Sequence, residues 1–479
     1  MSRNGDDRRG RAGDPRLRVL VATILGSSLA FVDAGVVNVA LPTIGRDLDL
    51  GLAGRQWVFL SYSLLLASLY LVAGSVGDRY GQSRVFSWGV VGFAAASAAA
   101  GAAPSGAALI GARALQGAAG AFVTTNSLAL LRTTYGDESG RAVGRWTAWT
   151  GIAALAGPPL GGGLVEFASW RLVFLVNVPF ALVVLWLVRG AGRRQERVAR
   201  PVDVVGSVLV AAALAALTFA VVETPARGVG RTWWAWVAFA AAATAFAVVE
   251  RRAAEPLLPG RLFRNRNFVA VNAETFFVYG GLGAGGFFLA LFLQSVPGYS
   301  PLAASVAFVP LSLVMLVLAG RFGSLADVYG PRRFLVAGPV VIAAGMLLWT
   351  LADRQSEWWL LGAGVVVFAV GLSIVVAPIT AAALKAVPDA DAGIAAGFNN
   401  TVSRVGGLVA VALTGIVVSV AFRHAGGGAA SGALEADATG VVRDASLSAF
   451  RWAIVAAAAL SLAGSAVAAF ALRDPPREP

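Results

Sequence analysis

The chain has 479 residues, of which 57% are hydrophobic and only 13% charged, and its formal net charge is +12. Soluble domains carry about 25% charged residues, so most of this chain suits a solvent that rejects charge, and the basic excess lies in tails and short loops rather than on a nucleic-acid-binding face. With no cysteine and one histidine, His424, the chain excludes disulfides, cysteine-ligated or histidine-cluster metal sites, and a Ser-His-Asp triad inside its apolar segments.

The apolar stretches are about 20 residues long, the length that crosses a bilayer as a helix. Unbroken runs such as 204–222 exclude the alternating pattern of a β-barrel. Fourteen candidate spans follow in chain order, at 19–41, 56–75, 85–103, 107–130, 143–165, 172–189, 204–222, 233–250, 268–294, 301–320, 334–352, 358–384, 393–421 and 448–471. The first is preceded by Arg8, Arg9, Arg11, Arg16 and Arg18, and is too long for the core of a cleaved signal peptide. It is expected to remain as a span.

Arginine placement sets the orientation. With the N-terminus in the cytoplasm, 27 of the 38 Lys+Arg fall on the cytoplasmic side and 9 outside. Arg113 and Arg404 lie within spans. Both termini are therefore expected in the cytoplasm. Trp57, Trp170, Trp233, Trp234, Trp358 and Trp359 sit near predicted outer ends, as an interfacial aromatic belt requires. The arginine-rich segment 251–267, with Pro256 and Pro259, reads as an amphipathic connector on anionic headgroups. The longest loop, 422–447, is expected outside.

An internal repeat divides the chain. Gly74-Ser-Val-Gly-Asp78-Arg79-Tyr-Gly81 follows the second span, and Gly323-Ser-Leu-Ala-Asp327-Val-Tyr-Gly330 follows the tenth. Each is followed by arginine: Arg84 in the first copy, Arg332 and Arg333 in the second. Two parallel halves fit this pattern. The second copy comes two spans late for a six-plus-six design, so two spans are inserted between the halves. The expected organisation is a tail at 1–18, a six-helix bundle at 19–190, an inserted pair with linkers at 191–267, a second bundle at 268–472 and a tail at 473–479.

Charges inside spans are costly and usually functional. Asp33 lies roughly 12 Å and Arg113 roughly 9 Å from the same face, at 1.5 Å per residue. They are expected to be neighbours, with Asp33 exchanging protons; desolvation favours a neutral acid, and a guanidinium the charged one. Arg404 falls near mid-membrane, where it either faces the cavity to pair with an acid or an anionic substrate group or clamps backbone carbonyls; Glu274 is a candidate partner or a second proton site, or else snorkels to the cytoplasmic interface. Asp78 and Asp327 sit where helices meet cytoplasm, placed to face a helix N-terminus and nearby arginines in one conformation only. Gly157-Pro158-Pro159 interrupts the ladder of the fifth span and reads as a flexible contact between halves, or as a structural kink. The chain has no Gly-x-x-x-x-Gly-Lys-Ser/Thr loop, so ATP is not the expected energy source.

Several of these motifs together resemble the major facilitator superfamily, in particular its fourteen-helix drug:proton antiporter branch (quaternary-ammonium and multidrug exporters). The loop motif is Gly74, Asp78, Arg79, Gly81 and Arg84, with Gln82 and Ser83 where the family has basic residues. The first span carries Asp33, Val36, Val37, Asn38, Val39, Ala40, Leu41 and Pro42. The fourth carries Arg113, Gln116 and Gly117. The fifth carries Gly151, Gly157, Pro158, Gly161 and Gly162. Trp170, Arg171, Phe174, Asn177 and Pro179 also fit, as do Gln294 with Gly298-Tyr299-Ser300-Pro301, and Asn400-Thr401 with Arg404 and Gly407.

The resemblance implies an all-α, fourteen-helix membrane transporter working by alternating access, without cofactor, driven by the proton gradient in a bacterial plasma membrane. Its partners are then a small amphipathic, often cationic, substrate, protons and the bilayer; a monomer is expected and nucleic acid is not. Proton coupling is expected at Asp33, Arg113 and Glu274. The cavity is expected to include Asn38, Tyr62, Gln116, Trp149, Phe277, Asn400 and Arg404. Gating falls to Gly74, Asp78, Arg79, Gly81, Arg84, Gly323, Asp327, Gly330, Arg332 and Arg333. The antiporter motif is Gly151, Gly157, Pro158, Gly161 and Gly162. Export of one lipid, siderophore or self-made antibiotic is the alternative. A receptor or scaffold needs neither Asp33 and Arg113 nor Gly157-Pro158.

Overall fold

The computed structural model describes residues 15–189, 204–252, 260–353, 358–388, 392–429, 432–435 and 440–473. The basic tail before residue 15, the tail after residue 473 and parts of the expected connector and outer loop (253–259, 430–431 and 436–439) lie outside the described residues. No strand occurs among the described residues. The helices are α1 Pro15–Asp47, α2 Leu52–Tyr80, α3 Gln82–Gly101, α4 Gly106–Tyr135, α5 Ser139–Phe167, α6 Leu172–Leu175, α7 Asn177–Val188, α8 Val204–Arg227, α9 Val229–Arg252, α10 Arg266–Ser295, α11 Pro301–Val306, α12 Val309–Tyr329, α13 Pro331–Trp349, α14 Trp358–Lys385, α15 Ala392–His424 and α16 Gly440–Ala471. Among the described residues ten helices, with α11 and α12 taken together, are long and apolar enough to cross a membrane; a bent α2 makes eleven. The pair α6–α7 (Leu172–Val188) is apolar but shorter.

Local chemistry places the ends. Ser105 caps α4 by accepting from the Ala108 amide, and Asn265 caps α10 by accepting from Phe268 at 3.1 Å. Ser300 caps α11, with Pro301 at its first position, after Gly298 turns the chain at φ 73°. The repeated motif recurs in the backbone as well. Gly81 and Gly330 both take positive φ, 95° and 86°, between consecutive helices, a conformation that favours glycine.

The chain folds as two compact units. The first comprises Met1–Ala40 and Val58–Ala211; its core gathers Tyr62, Leu66, Phe86, Val90, Phe93 and Val123 from α2, α3 and α4. The second comprises Leu41–Trp57 and Ala212–Pro479. Within it Phe292 of α10 stacks on Phe450 of α16 at 3.8 Å. It also takes in the end of α1 and the start of α2. There Arg55, only 2% exposed, donates to the carbonyls of Leu434 at 2.5 Å and Ala433 at 2.9 Å. Gln56 donates to Val411 O at 2.9 Å, and Trp57 to the Glu223 carboxylate at 2.8 Å. In the sequence Arg55 looks like any interfacial arginine, so this clasp carries no linear signal.

Candidate functional site

The first unit buries a charged cluster among α1, α3, α4 and α7. Asp33 is 1% exposed and Arg113 not exposed at all. Arg113 Nη1 donates to Asp33 Oδ2, a direct ion pair, and to Gln116 Oε1 at 2.6 Å. Gln116 Nε2 returns to Asp33 Oδ1 at 2.8 Å and also reaches Ser97 Oγ at 2.9 Å. Asn177 Nδ2 lies 3.4 Å from both Asp33 Oδ1 and Ser97 Oγ. Arg113 and Gln116 stand one helical turn apart, so a single face of α4 presents both. The Arg113 guanidinium lies over the Tyr62 ring, 4.3 Å from its centre, and Tyr62 donates to Ala30 O at 3.0 Å. Tyr62 therefore supports the arginine from beneath.

Two close approaches fix this geometry. A Cβ on Gly117 would fall 2.1 Å from the Tyr62 carbonyl oxygen, so only glycine lets α4 sit this near α2. Similarly, Gly157 meets the Val32 backbone, Pro158 meets Gly35, and a Cβ on Gly161 would fall 2.8 Å from Val36 Cα. Residues 32, 35 and 36 bracket Asp33, so the glycines and proline of α5 hold the turn of α1 that carries the acid. They pack within the first unit, and α5 runs through Pro158 and Pro159 without ending. Gly162 is buried in the same helix, whereas Gly151 is exposed with nothing nearby.

The second unit buries a lone acid. Glu274 of α10 is 0% exposed, and neither carboxylate oxygen has a hydrogen-bond partner. The candidate pairing with Arg404 is not formed, and helix phase explains why. Val278 and Gly281, which share the Glu274 face of α10, meet Gly464 and Ser461 of α16. Tyr279 and Gly283 instead face Gly407 of α15, the helix that carries Arg404. On that side Asn399 donates to Asn272 Oδ1 at 3.2 Å and to Thr275 Oγ1 at 2.8 Å. Asn400, named from the sequence, is exposed, while its neighbour Asn399 enters the network. Arg404 is half-buried and near enough to act electrostatically on Tyr279.

The remaining expected cavity residues are dispersed. Trp149 is 58% exposed; Asn38 and Phe277 are half-buried, and Phe277 packs edge-on to Phe276. At the first repeat, Asp78 accepts from Gln82 at 3.4 Å, and Gln82 in turn accepts from Thr133 at 3.1 Å. Gln82 thus occupies the bridging position where the family has a basic residue. Arg79 lies against Tyr80, and Arg84 is exposed. At the second repeat, Asp327 pairs with Lys385 at 2.8 Å, both exposed, while Arg332 reaches Ala469 O. Arg333 is exposed, and Gly74 and Gly323 are half-buried. Among the described residues no group of His, Cys, Asp or Glu could hold a metal ion.

Comparison with known proteins agrees with this architecture. The family model described as the Major Facilitator Superfamily matches residues 23–411 and 275–479. The chain is 35% identical over 415 residues to multidrug resistance protein Stp of Mycobacterium tuberculosis, covering 84% of this chain and 76% of that protein. It is 34% identical over 412 residues to the tetracenomycin C resistance and export protein of Streptomyces glaucescens, covering 84% and 75%. Among solved structures, a bacterial homolog of the human lysosomal transporter Spinster superposes with a TM-score of 0.69 at 17% identity, covering 96% of this chain and 97% of that one. At that identity the likeness is one of fold.

Proposed function

The chain belongs to the Major Facilitator Superfamily, and from that membership we propose that it is a fourteen-span, proton-coupled exporter of drugs or other small amphipathic compounds. It acts by alternating access in the bacterial plasma membrane, with both termini cytoplasmic, as a monomer, and with the proton gradient in place of a cofactor. The observation that carries the reading is the fully buried Asp33–Arg113 pair. A buried ion pair is weak evidence for stability, because desolvation of both charges offsets their attraction. Retaining one inside a membrane bundle is more economical to explain by a proton that Asp33 gains and loses. Glu274, buried without a partner, is the second proton site.

The names of the two relatives, one a multidrug resistance protein and one an export protein for tetracenomycin C, support drug export as the activity. The second name also favours a narrower reading, in which the cargo is a single natural product made by the producing cell. The test is accumulation of labelled tetraphenylphosphonium, and separately of tetracenomycin C, in inside-out vesicles energised with a pH gradient. Uptake that nigericin abolishes supports proton-driven export. Uptake insensitive to nigericin removes the coupling, and uptake of neither compound removes both as cargo.

A further inference from the structure

Beside the buried cluster the first unit carries a groove of about 270 Å³ between α1, α5 and the start of α7. Its walls include Val32, Trp149, Ile152, Ala153 and Phe180, and no charged residue lines it. Trp149 and Phe180 are the large aromatic residues of its lining, 58% and 48% exposed. One strongly polar group closes the floor. Asn177 lines the groove yet is itself only 3% exposed, and it is the same amide that approaches Asp33 and Ser97. Both of those contacts are 3.4 Å, long against the usual 2.9–3.0 Å for an N–H donor. Contacts this long leave the amide hydrogens weakly engaged, so an acceptor on a ligand at ordinary hydrogen-bond distance would compete for them.

We propose that this groove is a binding site for an uncharged, planar compound of two or three aromatic rings bearing a ketone, which accepts a hydrogen bond from Asn177 Nδ2. The chemistry follows from the walls. A charged ligand has no counter-ion there, and burying an unpaired charge is prohibitive. Aromatic rings from α5 and α7 among the lining residues favour an aromatic ligand. A cavity of about 150 Å³ accommodates benzene, so one of about 270 Å³ suits two or three fused or linked rings. A saturated lipid chain would fill the space but leave Asn177 unused. The proposal rests on the export reading for its purpose, and narrows the cargo toward uncharged ring ketones that reach the protein from within the bilayer.

The test uses benzophenone, an uncharged two-ring ketone that is its own photolabel. Purified protein in nanodiscs is irradiated with it, and adducts are mapped by peptide mass spectrometry. The expected result is saturable labelling concentrated on 24–32 and 149–160, displaced by 9-fluorenone and not by tetraphenylphosphonium. Asn177→Leu, which keeps the branched shape and removes the amide, lowers that labelling about tenfold, the scale of one hydrogen bond. Ala153→Phe, which fills the groove from the opposite wall, abolishes it and keeps the proposal testable if Asn177→Leu fails to fold. Labelling that rises linearly, spreads over all lipid-facing helices and ignores 9-fluorenone would overturn the proposal, since the groove would then hold bilayer chains only. Labelling requires no gradient and no turnover, so its outcome is separate from that of the export assay.

Discussion

Asp33 and Arg113, 80 residues apart in the chain, form an ion pair in which neither side chain exposes any surface. Gln116 closes a ring by accepting from the arginine and donating to the acid. Arg113 Nη2 makes no hydrogen bond, so the cluster retains one uncommitted buried donor. A ring with an open donor is suited to exchange partners.

Removing one member strands the other. Arg113→Met leaves a buried carboxylate without its guanidinium, and is expected to cost roughly 3–5 kcal/mol. The double variant Asp33→Leu, Arg113→Met removes both charges and should recover most of that loss. Melting of the purified variants, followed by fluorescence-detected size exclusion, distinguishes the two. Equal losses in single and double variants would show that the pair contributes packing alone.

Gly117 offers a test of the support beneath the arginine. Gly117→Ala forces α4 away from the Tyr62 carbonyl and is expected to cost about 1–3 kcal/mol, as overpacking does. Gly111→Ala, on the same helix with nothing within 4 Å, should be neutral or stabilise by about 0.5–1 kcal/mol. A Gly117→Ala melting temperature no lower than that of Gly111→Ala would contradict the close approach.

Much of this site was legible in the sequence because charge is rare in apolar spans. Asp33 and Arg113 announce themselves, and their similar depth pairs them. Ser97 gave no comparable signal, since a neutral polar residue is unremarked in a membrane helix. Asn177 stood in a recognised motif without a role. Elsewhere helix phase decides, and phase is not linear information. One residue separates exposed Asn400 from networked Asn399, and the same effect turns Glu274 toward α16 and away from the helix of Arg404. The helical architecture follows from hydrophobic run length, whereas the packing of α5 on α1 depends on which helix the small residues meet.

Glu274 should behave differently from Asp33 in a stability assay. Its carboxyl has no partner to strand, so Glu274→Gln is expected to leave the melting temperature unchanged or raise it. If it carries a second proton, the variant exports with a shallower dependence on the size of the pH gradient. A large drop in melting temperature would contradict the absence of a hydrogen-bond partner at this carboxylate.

The repeat loops bear on rate. Gln82→Ala releases Asp78 and Thr133 at a cost of no more than about 1 kcal/mol to stability. It should nevertheless slow export several-fold with the substrate concentration at half-maximal rate unchanged. Initial rates across substrate concentrations check this, and an unaltered maximal rate would remove the loop from gating.

Asp33 is the proposed carrier of the proton. The direct measurement is dissipation of a preformed pH gradient in inside-out vesicles when tetraphenylphosphonium and uncharged ring ketones are added, with wild type and Asp33→Asn at matched expression. Dissipation is expected with wild type and not with Asp33→Asn. Equal dissipation by both would contradict it and return Asp33 to a purely structural role.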